Sequence, residues 1–448
     1  MEHRYFGIFN LKNIRSICFY AVACVLILAG LVWAGEPAKV YDLTQTIERA
    51  LEVHLQIKLS QDEIKAAESD KKSQKTNFYP TFSAAYQYTR YNENITSPYF
   101  GVLTPENEYA FVTSVQQPLF AGFSILSQYE IAELGLDVAK INEKLVRQDV
   151  IFEANNIYFS LLKAQKLLAV AEDTVKQIEA QADVARNFYQ VGMTPLNDLL
   201  QAQVELANAQ QNQVIAQNNL EAVKSNFNTF LRWPINTPVQ IQEDLVYTPF
   251  EKDLDYSMET AQQNRLELQI ADRKIEIAEK KLKLAKKDYY PTVTLEGNIY
   301  SLGTDLNLNG GEGISDPHGW NIQATAQWDF WEWGRTTHGV TEKLSRVSQA
   351  VHEKAEVQEK LILEVKKAFL KTIETEKNIA TAEKAIEQAK ENLRINQERY
   401  KEQVATTTDV LDAQTLLSRT MTNYYNALYD FKISKASLFR AIGQEAME

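Results

Sequence analysis

The sequence DVLDAQ at residues 409–414 repeats four of the six residues of DLLQAQ at 198–203, and the two segments lie 211 residues apart. The same offset relates YYPT at 289–292 to FYPT at 78–81. One offset that holds over more than a hundred residues indicates an internal duplication, which governs how the rest of the chain is interpreted. We divide the chain accordingly into a first repeat at 35–232, a proline-containing linker at 233–256 and a second repeat at 257–448.

Each repeat contains two segments with the two-residue alternation of β-strands. Apolar and polar side chains alternate over 293–300 and 320–329, and the same pattern occurs over 81–91 and 109–117. Segments of about ten residues with this pattern are typical of transmembrane barrel strands, whose apolar face meets lipid and whose polar face meets the lumen. The alternative is a half-buried hairpin in a soluble sheet. Since four strands cannot close a barrel of useful width, the membrane interpretation requires several chains.

Aromatic residues concentrate near the ends of these strand segments, which favours the membrane interpretation over a soluble sheet. Aromatic belts at the level of the lipid headgroups are expected where strands enter and leave a bilayer. An aromatic cluster in a core is the alternative. We assign six residues to such a girdle: Trp320, Trp328, Trp331, Trp333, Tyr289 and Tyr290.

A long helix follows the strands in each repeat. No proline lies between Pro118 and Pro195, so no residue there lacks a backbone donor. From Val150 to Tyr189, steps of four and three residues reach apolar or aromatic side chains at all twelve positions. This 3.5-residue period predicts a left-handed coiled coil. One helix over 123–191 would be about 100 Å long, at about 1.5 Å per residue. A shorter helix is predicted over 43–77.

Composition and charge exclude several classes of protein. The 448 residues are 45% apolar and 24% charged, and the mean hydropathy is -0.34. These values fit neither a disordered chain nor a bundle of membrane-spanning helices. The net charge of -12 argues against nucleic acid as a partner. No metal-binding histidine pair, nucleophile elbow or phosphate loop occurs, so we expect no enzyme, no cofactor and no metal site.

The first 34 residues are predicted to be a secretory signal peptide. Arg4, Lys12 and Arg15 precede an apolar run, and small residues flank a cleavage site after Ala34. An uncleaved anchor helix and lipidation at Cys24 are the alternatives. Cleavage removes both cysteines of the chain, so the mature protein would contain no thiol.

Taken together, these features resemble the TolC-type outer-membrane efflux channel family over essentially the whole mature chain. The resemblance is carried by the duplicated halves, the strand pairs, the long helices and the turns YQVGMTPLND at 189–198 and YKEQVATTTDVLDA at 400–413. It implies an α+β membrane protein and a homotrimer. Each chain would give four strands to one twelve-stranded β-barrel in the outer membrane, continued by a long α-helical coiled-coil barrel in the periplasm.

The resemblance also implies a function and partners. The chain would be the passive exit duct of a tripartite efflux or type I secretion system, set in outer-membrane lipid and gated at its periplasmic tip. A periplasmic adaptor (membrane fusion) protein and an inner-membrane pump would assemble with it. A periplasmic coiled-coil adaptor or scaffold protein is the alternative, but an adaptor would have a single hairpin joined to compact β modules.

Site residues follow from the matched turns. Tyr400 matches the gate tyrosine of the family and Asp198 its hydrogen-bond partner, while Asp409 and Asp412 match two acidic rings at the constriction. Asn197 completes the predicted gate. The predicted adaptor-docking tips comprise Gly192, Met193, Thr194, Val404, Ala405 and Thr406.

Two departures from the family pattern concern the second turn. Ala405 stands where some members carry an arginine that braces the closed tip, and Gln403 replaces the usual glycine. The alternative is that the acidic residues only cap the helix, because Thr406 followed by Asp409 is a good helix start in its own right.

Overall fold

The computed structural model describes residues 40–243 and 247–445. The predicted signal peptide, its cleavage site and Cys24 lie outside the described residues. The first half of the chain comprises β1 (Val40–Tyr41), α1 (Leu43–Val53), α2 (Leu55–Thr76), β2 (Thr81–Arg90), β3 (Ile95–Ser97), β4 (Gly101–Thr104), β5 (Asn107–Ala121), α3 (Ser124–Gln190) and α4 (Leu196–Phe230).

The second half has the same order of helices and long strands. It comprises β6 (Gln240–Ile241), α5 (Leu254–Asn264), α6 (Leu266–Ala285), a 3-10 turn (Lys286–Tyr289), β7 (Thr292–Gly303), β8 (His318–Gln327), α7 (Arg335–Lys401) and α8 (Thr407–Ala441). Helices α3 and α7 each have 67 residues, and α4 and α8 each have 35. Each end of α7 and α8 lies 211 residues after the matching end of α3 or α4.

The helix predicted over 43–77 is two helices, because the chain turns at His54. The backbone of His54 is extended, with φ -66° and ψ 131°. Its imidazole packs on the ring of Phe230, with ring centroids 5.0 Å apart, and its Nδ1 accepts from the backbone N–H of Gln56 at 3.4 Å. Arg265 makes the same break between α5 and α6 in the second half. The prediction of one helix was therefore wrong at this position.

The long strands form one antiparallel sheet in the order β2-β5-β7-β8. Its register makes each face continuous across all four strands. One row joins Phe82, Val115, Gly297 and Ile322, and the adjacent row joins Ser83, Ser114, Asn298 and Asn321. The predicted alternation therefore produces one apolar face and one polar face.

The sheet is a single layer without a core on either side. Phe82 on the apolar face is 71% exposed and Ile322 is 68% exposed. On the polar face, Asn298 Nδ2 donates to Asn321 Oδ1 at 3.1 Å and the hydroxyl of Ser114 donates to Asn298 Oδ1. The edge strands β2 and β8 each pair on one side only, and their outer edges pair with no strand of the described chain.

The long helices pack side by side in the order α4, α3, α8, α7. The main core lies where α1 and α2 cover α3, and its largest fully buried members include Tyr158, Phe227 and Leu231. Two buried residues of α7, Thr372 and Thr375, are polar, and the hydroxyls of both bond to Ser434 of α8. None of the helices that the structure describes combines the length and apolar character needed to cross a bilayer.

Candidate functional site: the helical tips and the sheet

Two short turns close the long helical hairpins at the end remote from the sheet. We call residues 191–195 the first tip and residues 402–406 the second tip. Met193 N–H donates to the carbonyl of Phe188, and Val404 N–H donates to that of Arg399, both at 2.8 Å. The two turns thus share a helix-ending pattern that needs a left-handed residue.

The left-handed position is filled by different residues in the two tips. Gly192 has φ +75° and Gln403 has φ +61°. Glycine adopts this conformation without steric penalty, whereas a residue with a Cβ is strained by about 1–2 kcal/mol. The amide of Gln403 lies 4.0 Å from the sulfur of Met193, so its side chain links the two tips.

Tyr400 is buried in the last turn of α7, next to the second tip. Its ring packs on Phe188 of the first hairpin, with ring centroids 5.5 Å apart. Its hydroxyl accepts a hydrogen bond from the hydroxyl of Thr407 at 3.0 Å. Asp198, the partner that the resemblance implies, lies half-buried in the first turn of α4 and makes no hydrogen bond to Tyr400. Within the single chain the Tyr400 hydroxyl thus pairs with Thr407, which begins α8 directly opposite the last turn of α7, and the Tyr400–Asp198 bond stays a prediction.

Asp409 caps the helix that begins in the second tip. The backbone N–H and the hydroxyl of Thr406 donate to Asp409 Oδ2 at 2.8 and 2.9 Å, and Asp409 N–H donates back to the Thr406 hydroxyl at 3.2 Å. The backbone hydrogen bond from Thr406, followed by the hydroxyl bond, holds the pKa of Asp409 below its usual range. The capping box anticipated from the sequence is thus present.

The other two polar gate residues face solvent in the single chain. Asn197 and Asp412 are both exposed, and neither side chain bonds to another residue of the described chain. One further contact joins the hairpins. Thr408 Oγ1 of α8 donates to Gln201 Oε1 of α4 at 2.9 Å. The structure therefore brings Tyr400 into a packed cluster but leaves Asn197 and Asp412 available.

The sequence reasoning missed four contributors to this site: Phe188, Gln201, Thr407 and Thr408. Gln201 lies inside the repeated DLLQAQ motif, so the repeat itself was a signal that could have drawn attention to it. Thr407 and Thr408 belong to a run of three threonines, 406–408. The helix-capping pattern identifies only the first of them, Thr406, so nothing in the sequence marked the other two.

The predicted docking residues differ in how far they reach the surface. Met193, Val404 and Thr406 are exposed, and a Cβ added at Gly192 would meet open space. Ala405 is half-buried against the cluster around Tyr400. Thr194 is also half-buried, and its hydroxyl has no hydrogen-bond partner in the described chain.

The aromatic side chains lie in two levels at the sheet. Tyr289 and Tyr290 precede β7, and Trp328 follows β8 at the same end, where Trp331 and Trp333 continue the chain. Trp320 lies eight residues before Trp328, close to the opposite end. Eight residues of strand span about 26 Å, at about 3.3 Å per residue. At the strand tilt of about 35–45° in transmembrane barrels, this length covers about 20 Å along the membrane normal, somewhat less than their apolar band of about 25 Å. All six predicted girdle residues are exposed.

Comparison with known proteins decides the family. The sequence model of the family described as "Outer membrane efflux protein" matches residues 46–225 and 258–444. The chain belongs to the outer membrane efflux protein family. The two matched segments cover most of both halves of the chain. This membership favours a channel over the adaptor or scaffold alternative and identifies the chain as a TolC-type outer-membrane factor.

Individual members of the family are distant in sequence and close in fold. Outer membrane efflux protein BepC of Brucella suis biovar 1 (strain 1330) is 21% identical over 437 residues, 96% of this chain and 92% of BepC. Outer membrane protein TolC of Vibrio cholerae serotype O1 is 23% identical over 66% of this chain and 68% of TolC. The Campylobacter jejuni outer membrane channel CmeC superposes with a TM-score of 0.79 at 16% identity, covering 92% of this chain and 90% of CmeC.

Proposed function

We propose that the chain is one third of a homotrimeric outer-membrane duct that carries cargo out of the periplasm. A periplasmic adaptor and an inner-membrane pump of a tripartite efflux or type I secretion system would work with it. The observation that carries this proposal is the single-layer sheet with one apolar face, one polar face and two unpaired edges. Such a sheet is stable only where lipid covers one side and where its edges are paired.

Pairing between copies would close the sheet into a barrel. All four strands alternate in direction, so β8 of one protomer can pair antiparallel with β2 of the next. Three chains then give twelve strands, an even number as bacterial transmembrane barrels have. The apolar face with Phe82 and Ile322 would meet lipid, and the polar face with Asn298 and Asn321 would meet the lumen.

The helices would continue the barrel as a tube. Within the chain, α4 and α7 lie at the two ends of the row of four long helices, so each of them has one neighbouring long helix in that row. Ten of the nineteen residues from Gln201 to Asn219 are Asn or Gln. On the inner side of a closed tube, this amide-rich surface of α4 would line a wet passage. The duplication of the chain then supplies six helical hairpins with near-sixfold arrangement.

The tips would form the gate and the docking surface. Three-fold symmetry would gather Asp409 and Asp412 from each chain around the axis, where a narrow passage focuses their negative field. Tyr400, Asp198 and Asn197 would position the hairpins around this constriction. The two tips would receive the hairpins of the adaptor through the exposed residues Gly192, Met193, Val404 and Thr406, together with the half-buried Thr194 and Ala405.

Planar-bilayer recording of the purified protein tests the channel and its gate together. We expect a conductance with cation selectivity, which the double variant Asp409→Asn/Asp412→Asn should reduce. Asparagine retains an oxygen that can accept the capping bonds from Thr406, so the variant removes charge and not the cap. Unchanged selectivity in this variant would mean that the carboxylates face away from the passage. Absence of any conductance from assembled protein would contradict the duct itself.

A further inference from the structure

The two hairpins of one chain are joined near their tips by a hydrogen bond between α4 and α8. Thr408, the second residue of α8, donates to Gln201, the sixth residue of α4, at 2.9 Å. Because α4 and α8 are equivalent helices of the two repeats, the same two positions also occur with the helices interchanged. The second residue of α4 is Asn197, and the sixth residue of α8 is Asp412. Asn197 and Asp412 are thus the repeat-related counterparts of a contact that the chain already makes.

The chemistry of the counterpart pair fits the same contact. An asparagine amide donates as the threonine hydroxyl does, and a carboxylate accepts as the glutamine oxygen does. The Asn197 side chain is one bond longer than that of Thr408, and the Asp412 side chain is one bond shorter than that of Gln201, so the combined reach is unchanged. A hydrogen bond from an amide to a carboxylate is also stronger than one between neutral groups.

Within a single chain, Asn197 and Asp412 cannot form this contact. Thr408 and Gln201 meet because α4 of the first half lies beside α8 of the second half. The equivalent neighbour of the second half is the first half of another copy. In the described chain, both side chains are exposed and have no partner.

Burial shows the same asymmetry at apolar positions. Leu411 of α8 is 2% exposed because it packs against α3 and α4, among them Ile178 and Ala202. Its counterpart Leu200 on α4 is 50% exposed. The surface around Leu411 is therefore covered by the first half of the same chain, whereas the equivalent surface around Leu200 in the first half is left open.

Phe159 of α3 is 4% exposed and lies beneath α8, with Lys432 Nζ 5.3 Å from the centre of its ring. Leu370 occupies the same position on α7 and is 54% exposed. The open surfaces therefore lie on α7 and on α4, which are the two ends of the helical row. The occupant that matches both is a second copy of the chain, with its α4 laid against α7.

We propose that Asn197 of one protomer donates a hydrogen bond to Asp412 of the next, forming a latch between copies at the closed tip. Leu200 of the first protomer packs beside this bond against Ala389, Leu393 and Ala413 of the next, the counterparts of the residues around Leu411. The proposal rests on the trimer proposed above. It makes the Asp412 position of the gate a site that two chains build together, with three latches around the axis.

Thiol crosslinking tests the contact directly. The two cysteines of the chain, Cys18 and Cys24, lie in the predicted signal peptide, so introduced thiols react without competition in the mature protein. A short bis-methanethiosulfonate reagent should join Asn197→Cys/Asp412→Cys between chains, giving dimers and trimers on a denaturing gel. The variant Gln201→Cys/Thr408→Cys calibrates the reagent, because it should crosslink within one chain. Asn197→Cys/Arg419→Cys, displaced by about 10 Å along α8, should not crosslink.

Channel recording separates the latch from the acidic ring. Asn197→Ala removes the donor and leaves every carboxylate at the tip in place. Loss of a hydrogen bond to a charged group should raise the open probability of the channel about tenfold. Asp412→Ala should have an effect of similar size, and the double variant should add little to either, because both remove the same bond.

The outcomes distinguish the latch from the duct. A trimer that crosslinks at 201/408 but not between chains at 197/412 overturns the latch and leaves the proposed function standing. An Asn197→Ala channel that behaves as the parent overturns the latch as well. Protein that never forms a trimer overturns both.

Discussion

Oδ2 of Asp409 accepts two hydrogen bonds from Thr406, one from its backbone N–H at 2.8 Å and one from its hydroxyl at 2.9 Å. One oxygen of the residue proposed for an acidic ring is therefore committed to the start of α8. The other oxygen, Oδ1, has no partner in the described chain. Capping and gating are compatible uses of the same carboxylate, and the tip depends on its ionised form.

The first prediction concerns pH. Because the pKa of Asp409 is lower in the folded chain than its usual value, its stabilisation of the cap is fully present above the usual value. It is lost as pH falls through the lowered pKa. We expect amide hydrogen exchange at Thr406 and Asp409, whose N–H groups form the cap, to accelerate relative to the rest of α8 as the medium is acidified through this range. Asp409→Asn is the matched control, and its exchange pattern should lack this acid-dependent step. A parent tip without the step would contradict the capping role.

The second prediction concerns strain at Gln403. Replacing Gln403 by glycine should relieve the left-handed backbone and stabilise the second tip by about 1 kcal/mol. The reciprocal change Gly192→Ala should destabilise the first tip by about the same amount, since space is open around Gly192 and only its φ of +75° is unfavourable. Local hydrogen exchange at each tip measures both effects. Equal exchange in parent and variants would show that the turns are unstrained.

The third prediction uses neighbouring residues on opposite faces of β8. Ile322 lies on the apolar face and Asn321 on the polar face. Ile322→Lys should cost about 2–4 kcal/mol if its face meets lipid, and assembled protein in the membrane should fall sharply. Asn321→Lys, the control, should assemble almost as the parent does. The lipid assignment fails if both variants assemble equally well, or if Asn321→Lys is the worse of the two.

The fourth prediction concerns a buried arginine near the end of α8. Arg265 is buried and bonds through both sides of its guanidinium to Glu267 and Glu364, and also to the carbonyl of Ala441 at 2.9 Å. Burial raises the pKa of Glu267, but the positive charges of Arg265 and Arg440 lower it by more, so the net shift of this pKa is downward.

Arg265→Met should therefore destabilise the fold by about 2–3 kcal/mol, because it leaves the half-buried carboxylate of Glu267 and the carbonyl of Ala441 at the end of α8 short of a partner. Arg346→Met, which removes an exposed ion pair with Glu342, should change stability by less than about 1 kcal/mol. Thermal unfolding of the two variants measures the difference. Similar unfolding temperatures for the two variants would mean that the interactions of Arg265 do not stabilise the fold.

Much of this fold is encoded in local pattern. The alternation around Phe82 and Ile322 predicted strands with one apolar and one polar face, and the register of the sheet aligns these faces. The apolar spacing from Val150 predicted a helix, and that helix ends within one residue of the expected position. These features follow from one side-chain period each, so they can be predicted without knowing what packs against them.

The break at His54 and the partner of Tyr400 could not be predicted in this way. Histidine does not end a helix by propensity, and the turn depends on packing against Phe230. The choice of Thr407 over Asp198 depends on how closely α7 and α8 approach at the tip. Both are tertiary effects, and they concern the residues nearest to the candidate site.

The most direct test of the account is the native mass of the protein extracted from membranes in mild detergent. The four-stranded sheet with open edges at β2 and β8 predicts a stable assembly of three mature chains, with mixed helix and strand signals in circular dichroism. A stable, water-soluble monomer would contradict it, because such a chain would leave both sheet edges and the apolar face with Phe82 and Ile322 uncovered.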